Sequence, residues 1–360
     1  MSALLVIDWA FVLEKLVLII GIVSVSLVIA MYETYAERKV AAVMQDRRGP
    51  NRAGPFGILQ PLADGLKLFM KEEIIPNTSN KFLFVLGPCL AMLTAMMTSA
   101  VIPWGDKIHV TLFGLDRWVS LQIADINIGI LFIFGVVSMG VYGIMIGGWA
   151  SNNKFSLIAA LRGASQVISY ELPMGLSLIA LLMLTGSLKM SAIVGGQIDS
   201  WYYVLYQPLG FFIFMVCAFA ECNRTPFDLP EAENELNFGY HQEYSSMKLG
   251  FYLFAEYINM FISSAVMATL FWGGYDIPFV NDGELVQQIG QNWTALLQAL
   301  SLFAKIAFFI FTFMWVRWTI PRFRYDQLMN LGWKTLIPLA LINMIITALV
   351  VLLKENGWRI

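Results

Sequence analysis

The sequence predicts an all-α integral membrane protein with eight transmembrane helices, a cytoplasmic-side amphipathic surface helix and an acidic cytoplasmic loop. Of its 360 residues, 58% are hydrophobic and only 13% are charged. About a quarter of the residues in a soluble domain are charged, so this chain has too little polar surface to cover itself in water. Runs without Asp, Glu, Lys or Arg also recur along the whole chain, with lengths near the roughly 20 residues that a membrane-spanning helix requires.

The apolar runs are expected to be helices rather than strands. The sequence shows no strand alternation, the runs are too long for the strands of a barrel, and a helix satisfies its own backbone hydrogen bonds in lipid. We treat residues 1–360 as a single polytopic membrane domain. The eight predicted spans cover residues 16–32, 82–105, 126–153, 172–188, 200–220, 257–275, 296–318 (interrupted by Lys305) and 335–353.

The N-terminal region lacks the features of a signal peptide, and the cysteines lack the spacing of a disulfide or metal site. The first fifteen residues contain Asp8 and Glu14 and no early basic residue, and no small-residue cleavage site follows the first apolar run, so the first span is predicted to be retained rather than removed as a signal peptide. The three cysteines, Cys89, Cys217 and Cys222, lie in or beside apolar runs without CxxC spacing. Structural burial is therefore expected for them, rather than a metal site or a disulfide.

The distribution of basic residues predicts the orientation in the membrane. Sixteen of the 23 Lys and Arg residues fall in or beside the loops that follow spans one, three, five and seven. The positive-inside rule places those loops in the cytoplasm and both termini on the non-cytoplasmic side.

The first cytoplasmic segment predicts a surface helix over residues 53–73. In FGILQPLADGLKLFMKE, apolar residues recur every three or four positions, and Asp64 and Lys67 lie between them. Such a helix is too charged to span the membrane and suited to lie on its surface. Periodicity alone predicts no more than a peripheral anchor.

Three carboxylates adjoin apolar runs at similar predicted depth. Glu171 lies at the start of span four, Glu221 at the end of span five and Glu256 at the start of span six, with Tyr170 and Tyr257 next to two of them. Acids inside a membrane are functional hypotheses by default. A proton relay is one interpretation, and interfacial acids satisfied by headgroup water are the other.

The loop over residues 221–249 is acidic. In FAECNRTPFDLPEAENEL, five carboxylates accompany a single cation, Arg224. The D-x-x-E spacing from Asp228 to Glu231 resembles a capping box, so a short helix is expected to begin near Leu229 with Asp228 as its cap. Glu231 and Glu235 would share a helix face and destabilise it by a few tenths of a kcal/mol. The cluster is either a solvated acidic loop or a store of protons or negative charge beside the membrane.

The last cytoplasmic segment is basic. RWTIPRFRYDQLMNLGWK carries Arg317, Arg322 and Arg324 at the end of span seven. Anchoring by the positive-inside rule explains these residues, and so does a docking surface for a cytoplasmic protein.

Five strings carry a family resemblance: ERKVAAVMQDRRGPNRAGPFGILQPLADGLKLFMKE, ALRGASQVISYELP, AECNRTPFDLPEAENEL, FAEYINM and PRFRYDQLMNLGWK. Together they resemble the quinone-site membrane subunits of respiratory complex I, the proton-translocating NADH:quinone oxidoreductase. The resemblance covers residues 10–355, and each cytoplasmic segment carries its own motif.

The resemblance implies a membrane-arm subunit of a respiratory-chain translocase in the bacterial cytoplasmic (inner) membrane. A lipid quinone, ubiquinone or menaquinone, would enter through a tunnel shared with the quinone-site subunits of the hydrophilic arm. Small membrane subunits, antiporter-like subunits and membrane lipids would be the other partners, with no nucleic acid. NADH, FMN and iron–sulfur clusters would belong to partner subunits, so this chain would bind no cofactor or metal and supply no catalytic residue.

The same resemblance assigns roles to individual residues. The quinone-tunnel residues would be Arg38, Arg47, Asp64, Lys67, Phe56 and Phe69. The residues of the proton path and of coupling would be Glu37, Glu171, Glu221, Arg224, Asp228, Glu231, Glu233, Glu235 and Glu256. Asp46 departs from the family pattern, which more often has an apolar residue there, and so does NELNFGYHQEY, where a smaller pair commonly follows the Leu. Asp46 would alter the charge of the tunnel or pair with Arg47.

Three alternatives differ from this interpretation. An equivalent subunit of a membrane-bound hydrogenase-type complex would share the fold but use another electron donor; the strings GPNRAGPFGILQPLADG and ECNRTPFDLPEAE favour the quinone enzyme. A stand-alone proton-coupled transporter would be expected to show an internal repeat, and the sequence contains none. A structural scaffold would not require carboxylates inside the membrane.

Overall fold

A computed structural model describes residues 9–112, 115–198, 202–280 and 282–356, apart from a few side chains that include Glu233. The chain is mostly helical. The α-helices are α1 (Trp9–Met44), α2 (Gln60–Met70), α3 (Lys81–Thr98), α4 (Gly129–Ala150), α5 (Lys154–Thr185), α6 (Met190–Gly195), α7 (Tyr203–Tyr206), α8 (Pro208–Glu221), α9 (Glu233–Leu236), α10 (Ser246–Phe271), α11 (Asp282–Ile289), α12 (Gln291–Thr319), α13 (Tyr325–Asn330) and α14 (Ile337–Glu355). Short 3₁₀ turns occupy Pro55–Gly57, Ser99–Val101 and Gly239–His241, and a π-helix joins α13 to α14 over Leu331–Leu336.

Seven helical segments within the described residues are long and apolar enough to cross a membrane. They are Phe11–Met44, Lys81–Val101, Gly129–Ala150, Lys154–Thr185, Ser246–Phe271, Gln291–Thr319 and Tyr325–Lys354. This confirms the prediction of a multi-pass α-helical membrane protein. Several of these helices extend beyond the predicted spans; α5 begins at Lys154, well before the predicted start at residue 172, and continues through Pro173.

The predicted span 200–220 is not one continuous helix. Its described part consists of α7 and α8, which meet at Gln207, where φ is −133° and ψ is 56°. Proline disfavours the helical conformation in the residue before it, so Pro208 breaks the helix at this point. The 14 residues of α8 extend about 21 Å at 1.5 Å per residue, less than the roughly 30 Å of a bilayer core.

A β-hairpin lies between α3 and α4, in a segment for which the sequence predicted no strand. Strand β1 (Lys107–Leu112) pairs antiparallel with β2 (Leu115–Ser120). His109 Nε2 lies 2.8 Å from Asp116 Oδ1, which adds a cross-strand pair. The alternation of KIHVTL is only six residues long and lies between two strong helix signals, so the pattern is easy to miss.

Close packing of α3 against α4 depends on glycine. A Cβ added to Gly87 would lie 2.9 Å from Gly147 Cα, and one added to Gly143 would lie 2.9 Å from Ala91 N. Small residues let helix backbones approach closely in membranes. The Tyr252 hydroxyl of α10 enters this contact and donates to the Gly143 carbonyl oxygen at 3.0 Å, so α3, α4 and α10 meet at one point.

Lys305, the charge within predicted span seven, has a structural explanation. Its ammonium is buried in α12 and donates to the carbonyl oxygens of Trp272, Gly274 and Asp276 at 2.7, 2.9 and 2.7 Å. These carbonyls lie at and beyond the C-terminal end of α10, where a helix presents unpaired acceptors and partial negative charge.

The cysteines only partly follow expectation. Cys217 and Cys222 are buried, as predicted. The prediction of burial was wrong for Cys89 of α3, which is exposed on the surface of the isolated chain.

The glycine contact gives a direct test of the packing. In Gly147→Ala the new Cβ would lie 1.9 Å from the Tyr252 hydroxyl oxygen, so Tyr252 must move and its bond to Gly143 is lost. We expect a loss of about 1–3 kcal/mol of stability from such overpacking, measured as a lower thermal midpoint of the purified full chain. Gly135→Ala is the matched control on α4, since a Cβ there meets nothing within 4 Å. Equal midpoints for the two variants would contradict this account of the packing.

Candidate functional site: a membrane-edge cavity and a buried acidic cluster

A cavity of about 470 Å³ opens among α1, α2, α10 and α12. Arg38, Arg47, Asp64 and Lys67, four of the six predicted tunnel residues, line it. The opposite wall is apolar, with Leu249, Leu253 and Phe254 of α10, and Trp318 lines it from α12. We call the part lined by Arg38, Arg47, Asp64 and Lys67 the charged rim, and the part lined by these apolar residues the apolar wall.

The charged rim is held by contacts between α1 and α2. Arg38 Nη1 donates to Asp64 Oδ2 at 2.6 Å, and Gln60 Nε2 donates to Asp64 Oδ1 at 3.3 Å. Helix α2 begins at Gln60 because Pro61 is favourable in the first turn, so the helix is shorter than the predicted surface segment. The Tyr35 hydroxyl also donates to the Phe56 carbonyl oxygen at 2.7 Å, which ties the preceding 3₁₀ turn to α1.

Two predicted tunnel residues do not line this cavity. The side chains of Phe56 and Phe69 are 81% and 69% exposed on the isolated chain.

In the turn after α1, Arg47 Nε donates to Gln45 Oε1 at 2.7 Å. Asp46 has a φ of 50° in the turn after α1, a left-handed conformation that Asp tolerates better than most residues.

Glu37 lies between the cavity and the buried Arg224. Its carboxylate lines the cavity and is 7% exposed. It accepts a hydrogen bond from the Tyr257 hydroxyl at 2.7 Å and pairs with Arg317 Nη1 at 2.5 Å. Arg224 approaches it from the other side, with Nη1 3.8 Å from Glu37 Oε2, and its guanidinium lies 4.2 Å from the centre of the Tyr257 ring.

Carboxylates of the acidic loop pair with arginines that are distant in sequence. Asp228 is 2% exposed and accepts from Arg322 Nη2 at 2.8 Å. Glu235 pairs with Arg162 Nη1 at 2.7 Å. Arg224 is the single cation within the acidic stretch, but α5 and the segment after α12 supply further guanidinium groups to its carboxylates.

The predicted helix cap was also wrong. Residues 229–231 form a turn, and helix α9 begins at Glu233, after Glu231. Asp228 does not cap a helix because its carboxylate is buried against Arg322 instead. The side chain of Glu233 lies outside the described part of the structure.

The loop carboxylates differ in their electrostatic environments. Burial, reinforced by Glu231, raises the pKa of Asp228 above its ordinary value, against the opposing effect of Arg322. Burial also acts to raise the pKa of Glu231, but the guanidinium charges of Arg224 and Arg317 oppose it, and the pKa of Glu231 is lowered. Glu231 is therefore favoured as an anion, and Asp228 more readily takes up a proton.

His241 is a member of the acidic cluster that the sequence analysis missed. Its side chain is fully buried, with Nδ1 3.8 Å from Glu231 Oε1 and Nε2 4.0 Å from Glu256 Oε1. Burial lowers the pKa of His241 to about 4, so the imidazole is neutral at pH 7. It is one of only two histidines in the chain, which is the one sequence signal that could have identified it.

Glu256 lies next to this histidine in α10. It is 7% exposed and accepts a hydrogen bond from the Tyr240 hydroxyl at 3.0 Å. Glu231, His241 and Glu256 bring one polar atom each within 4.8 Å of one another. We assign no metal to the trio, since the hydrogen bond from Tyr240 already occupies Glu256 and the sequence carries no metal motif; the expected absence of a metal site stays a prediction.

The three membrane acids line two small neighbouring cavities. Glu171 and Glu221 line the first, and Glu221 and Glu256 line the second. Each offers about 40 Å³ to the centres of water molecules, more than the roughly 10–15 Å³ that one water needs. Glu221 and Asn259 line both cavities, so the structure brings the three predicted acids into one chain of sites.

The tyrosines beside these acids have other partners. The Tyr170 hydroxyl donates to the Leu328 carbonyl oxygen at 3.0 Å, and Tyr257 bonds Glu37 rather than its neighbour Glu256. Glu171 instead accepts a hydrogen bond from Ser138 of α4.

The chain matches a family model and several known proteins over most of its length. A family model described as NADH dehydrogenase matches residues 16–348. An H subunit of NADH-quinone oxidoreductase from Cytophaga hutchinsonii is 65% identical over 343 residues, covering 95% of this chain and 98% of the relative. The H subunit of the same enzyme from Flavobacterium johnsoniae is 63% identical over 343 residues (95% and 96%), and one from Geobacter metallireducens is 47% identical over 347 residues (96% and 98%).

The family match covers most of the chain, and these relatives cover nearly all of it at high identity. The chain therefore belongs to the NADH dehydrogenase family, among the H subunits of NADH-quinone oxidoreductase, the quinone-site membrane subunits of complex I.

Proposed function

We propose that this chain forms the membrane part of the quinone tunnel of a proton-translocating NADH:quinone oxidoreductase, and that its buried acids couple quinone reduction to proton translocation. One observation carries the proposal. A cavity of about 470 Å³ shares Glu37 and Tyr257 with a buried charged cluster, and that cluster adjoins a line of membrane acids.

The cavity suits an amphiphilic quinone. Ligand sites are mostly apolar, with a few polar groups that fix orientation. Leu253, Phe254 and Trp318 would contact the isoprenoid tail, while Arg38, Asp64 and Lys67 would guide the polar ring along the rim. Phe56 and Phe69, exposed on the isolated chain, would complete the tunnel only together with partner subunits.

Electrostatics would couple the cavity to the acids. Reduction of a quinone to a quinol takes up two electrons and two protons, and a negative species before protonation would lie close to Glu37 and Arg317. Charges interact far more strongly in a protein interior than in water. A negative charge in the cavity would draw Arg224 and Arg317 towards it and weaken their hold on Glu37 and Glu231.

A change in that balance would alter proton binding in the membrane. Glu256 would respond first, because it adjoins Glu231 and His241. Protons would then pass between Glu256, Glu221 and Glu171 through water in the two small cavities. Asp228, Glu233 and Glu235 would supply the rest of the negative charge of the loop. The change in protonation would then be passed to the antiporter-like subunits.

The finer architecture follows from the same proposal. Helix α8 would be the fifth of eight spans, with α7 and the neighbouring residues completing its passage. Residues 53–73 would lie at the cytoplasmic surface and residues 221–249 would form the acidic loop of a single membrane domain, 1–360. Both termini would lie on the non-cytoplasmic side of the bacterial inner membrane.

The proposal includes partners that carry the redox chemistry. NADH, FMN and iron–sulfur clusters would be held by hydrophilic-arm subunits, and this chain would bind only the quinone. The names and coverage of the relatives favour this assignment over a hydrogenase-type complex or a stand-alone transporter.

Arg38→Gln tests the cavity. The substitution removes the guanidinium that holds Asp64 at the charged rim, so we expect kcat/KM for quinone to fall about tenfold in the assembled complex, which corresponds to about 1.4 kcal/mol of activation free energy. Steady-state quinone reduction in membranes measures this effect. Lys154→Gln is the matched control on another helix, where the ammonium lies over Phe155. An unchanged kcat/KM in Arg38→Gln would count against a quinone in this cavity.

Glu221→Gln tests the acidic path. Glutamine keeps the size of the side chain but cannot bind and release a proton, so we expect NADH-driven proton pumping to fall at least about tenfold. The measurement is acidification of vesicles that contain the reconstituted complex, beside quinone reduction. Glu14→Gln, near the opposite end of α1 from Glu37, should leave both unchanged. Wild-type pumping and wild-type quinone reduction in Glu221→Gln would show that the path is wrong.

A further inference from the structure

The proposed path has a break between the quinone cavity and the membrane acids. Glu37 borders the cavity, whereas Glu221 lies between the two small cavities. The charged group next to Glu37 on the inner side is Arg224, and a guanidinium does not release its proton in proteins. A carboxylate at this break would provide a site that can.

Glu33 lies at this position. It is on α1, four residues before Glu37, and residues four apart lie on the same face of a helix with Cβ atoms about 5–6 Å apart. Its carboxyl group interacts electrostatically with both Arg224 and Glu37. The thiol of Cys222 interacts with both Glu33 and Glu221, and Cys222 lines the cavity that Glu171 and Glu221 share.

The surroundings of Glu33 are unusual for a structural acid. The residue is only 4% exposed, and neither carboxylate oxygen has a hydrogen-bond partner among the described residues. Its helical neighbour Glu37, by contrast, is held by Tyr257 and Arg317. A buried carboxylate without hydrogen bonds is costly, and it contributes no packing that an apolar side chain could not supply.

We propose that Glu33 is a further proton-binding residue of the coupling path, which carries a proton between Glu37 at the cavity and the acids around Glu221. This inference rests on the proposed function and adds a residue to it. In each transfer the carboxylic acid O–H of one glutamate breaks as an O–H bond forms on the carboxylate of the next, directly or through water. No electron moves and no other reactant is required.

Arg224 would set the direction of the transfer. Its guanidinium attracts both Glu33 and Glu37 and therefore favours their ionised forms. When a negative charge in the quinone cavity competes for Arg224 and Arg317, protonation of Glu33 becomes more favourable. When the quinol leaves, the attraction is restored and the proton is released towards the acids of the path.

The test uses the assembled complex reconstituted into vesicles, with Glu33→Gln, Glu33→Asp and the control Glu14→Gln on the same helix. We expect proton pumping to fall about tenfold or more in Glu33→Gln, to remain within about threefold of wild type in Glu33→Asp, and to be unchanged in Glu14→Gln. Because the oxygens of Glu33 bond no described residue, Glu33→Gln removes no hydrogen bond recorded in the structure. NADH oxidation by an artificial acceptor that takes electrons before the quinone should be unchanged, which shows that the complex is assembled.

The comparison with Glu221→Gln separates the two proposals. Wild-type pumping in Glu33→Gln beside a large loss in Glu221→Gln would overturn the role of Glu33 and leave the path standing. Wild-type pumping in both would overturn the path itself, and Glu33 with it. If Glu33→Gln and Glu33→Asp lost pumping equally, the effect would follow from side-chain shape rather than proton binding, and the proposal for Glu33 would be wrong.

Discussion

The burial of Arg224 among several carboxylates is the interaction on which the rest of this site depends. Its guanidinium is almost inaccessible, stacks on Tyr257 and lies 3.8 Å from Glu37. The electrostatic interactions of Arg224 reach α1, the acidic loop and α10 at once, through Glu37, Glu231 and Glu256. Without this positive charge, the acids would repel one another in surroundings of low dielectric constant.

Among the described residues the cluster contains more acids than cations, and the proposed function gives this imbalance a role beyond stability. Arg224, Arg317 and Arg322 face a set of five buried or half-buried carboxylates: Glu33, Glu37, Asp228, Glu231 and Glu256. Not all five can be ionised beside three cations without a large energetic cost. Under the proposed function, the cluster would hold protons, and their number would depend on any charge that enters the neighbouring cavity. Under that proposal, this subunit would respond to reduction of the quinone without carrying a redox cofactor itself.

The sequence predicted the class of the protein well because hydrophobic composition and run length directly reflect the bilayer. It identified Glu171, Glu221 and Glu256 as candidates because a carboxylate in an apolar run is conspicuous, and in the structure these acids line two neighbouring cavities that share Glu221. Charge pairing between distant segments is not encoded in local spacing. The partners of Asp228 and Glu235 are Arg322 and Arg162, and local capping rules therefore gave the wrong role for Asp228. His241 was missed for the same reason, since its place in the cluster is defined by contacts across the fold. The β1–β2 hairpin is local, and it was missed because its alternation is short and lies between two strong helix signals.

Redox-triggered infrared difference spectroscopy of the complex in lipid would test the central claim, that quinone reduction changes the protonation of buried carboxyl groups. We expect bands of protonated carboxyl groups that appear or shift when NADH reduces the enzyme with quinone present, that move in D₂O, and that are absent after quinone extraction. Identical difference spectra in the carboxyl region with and without quinone would contradict the account. Charge on the quinone would then have no effect on the protonation of the acidic cluster.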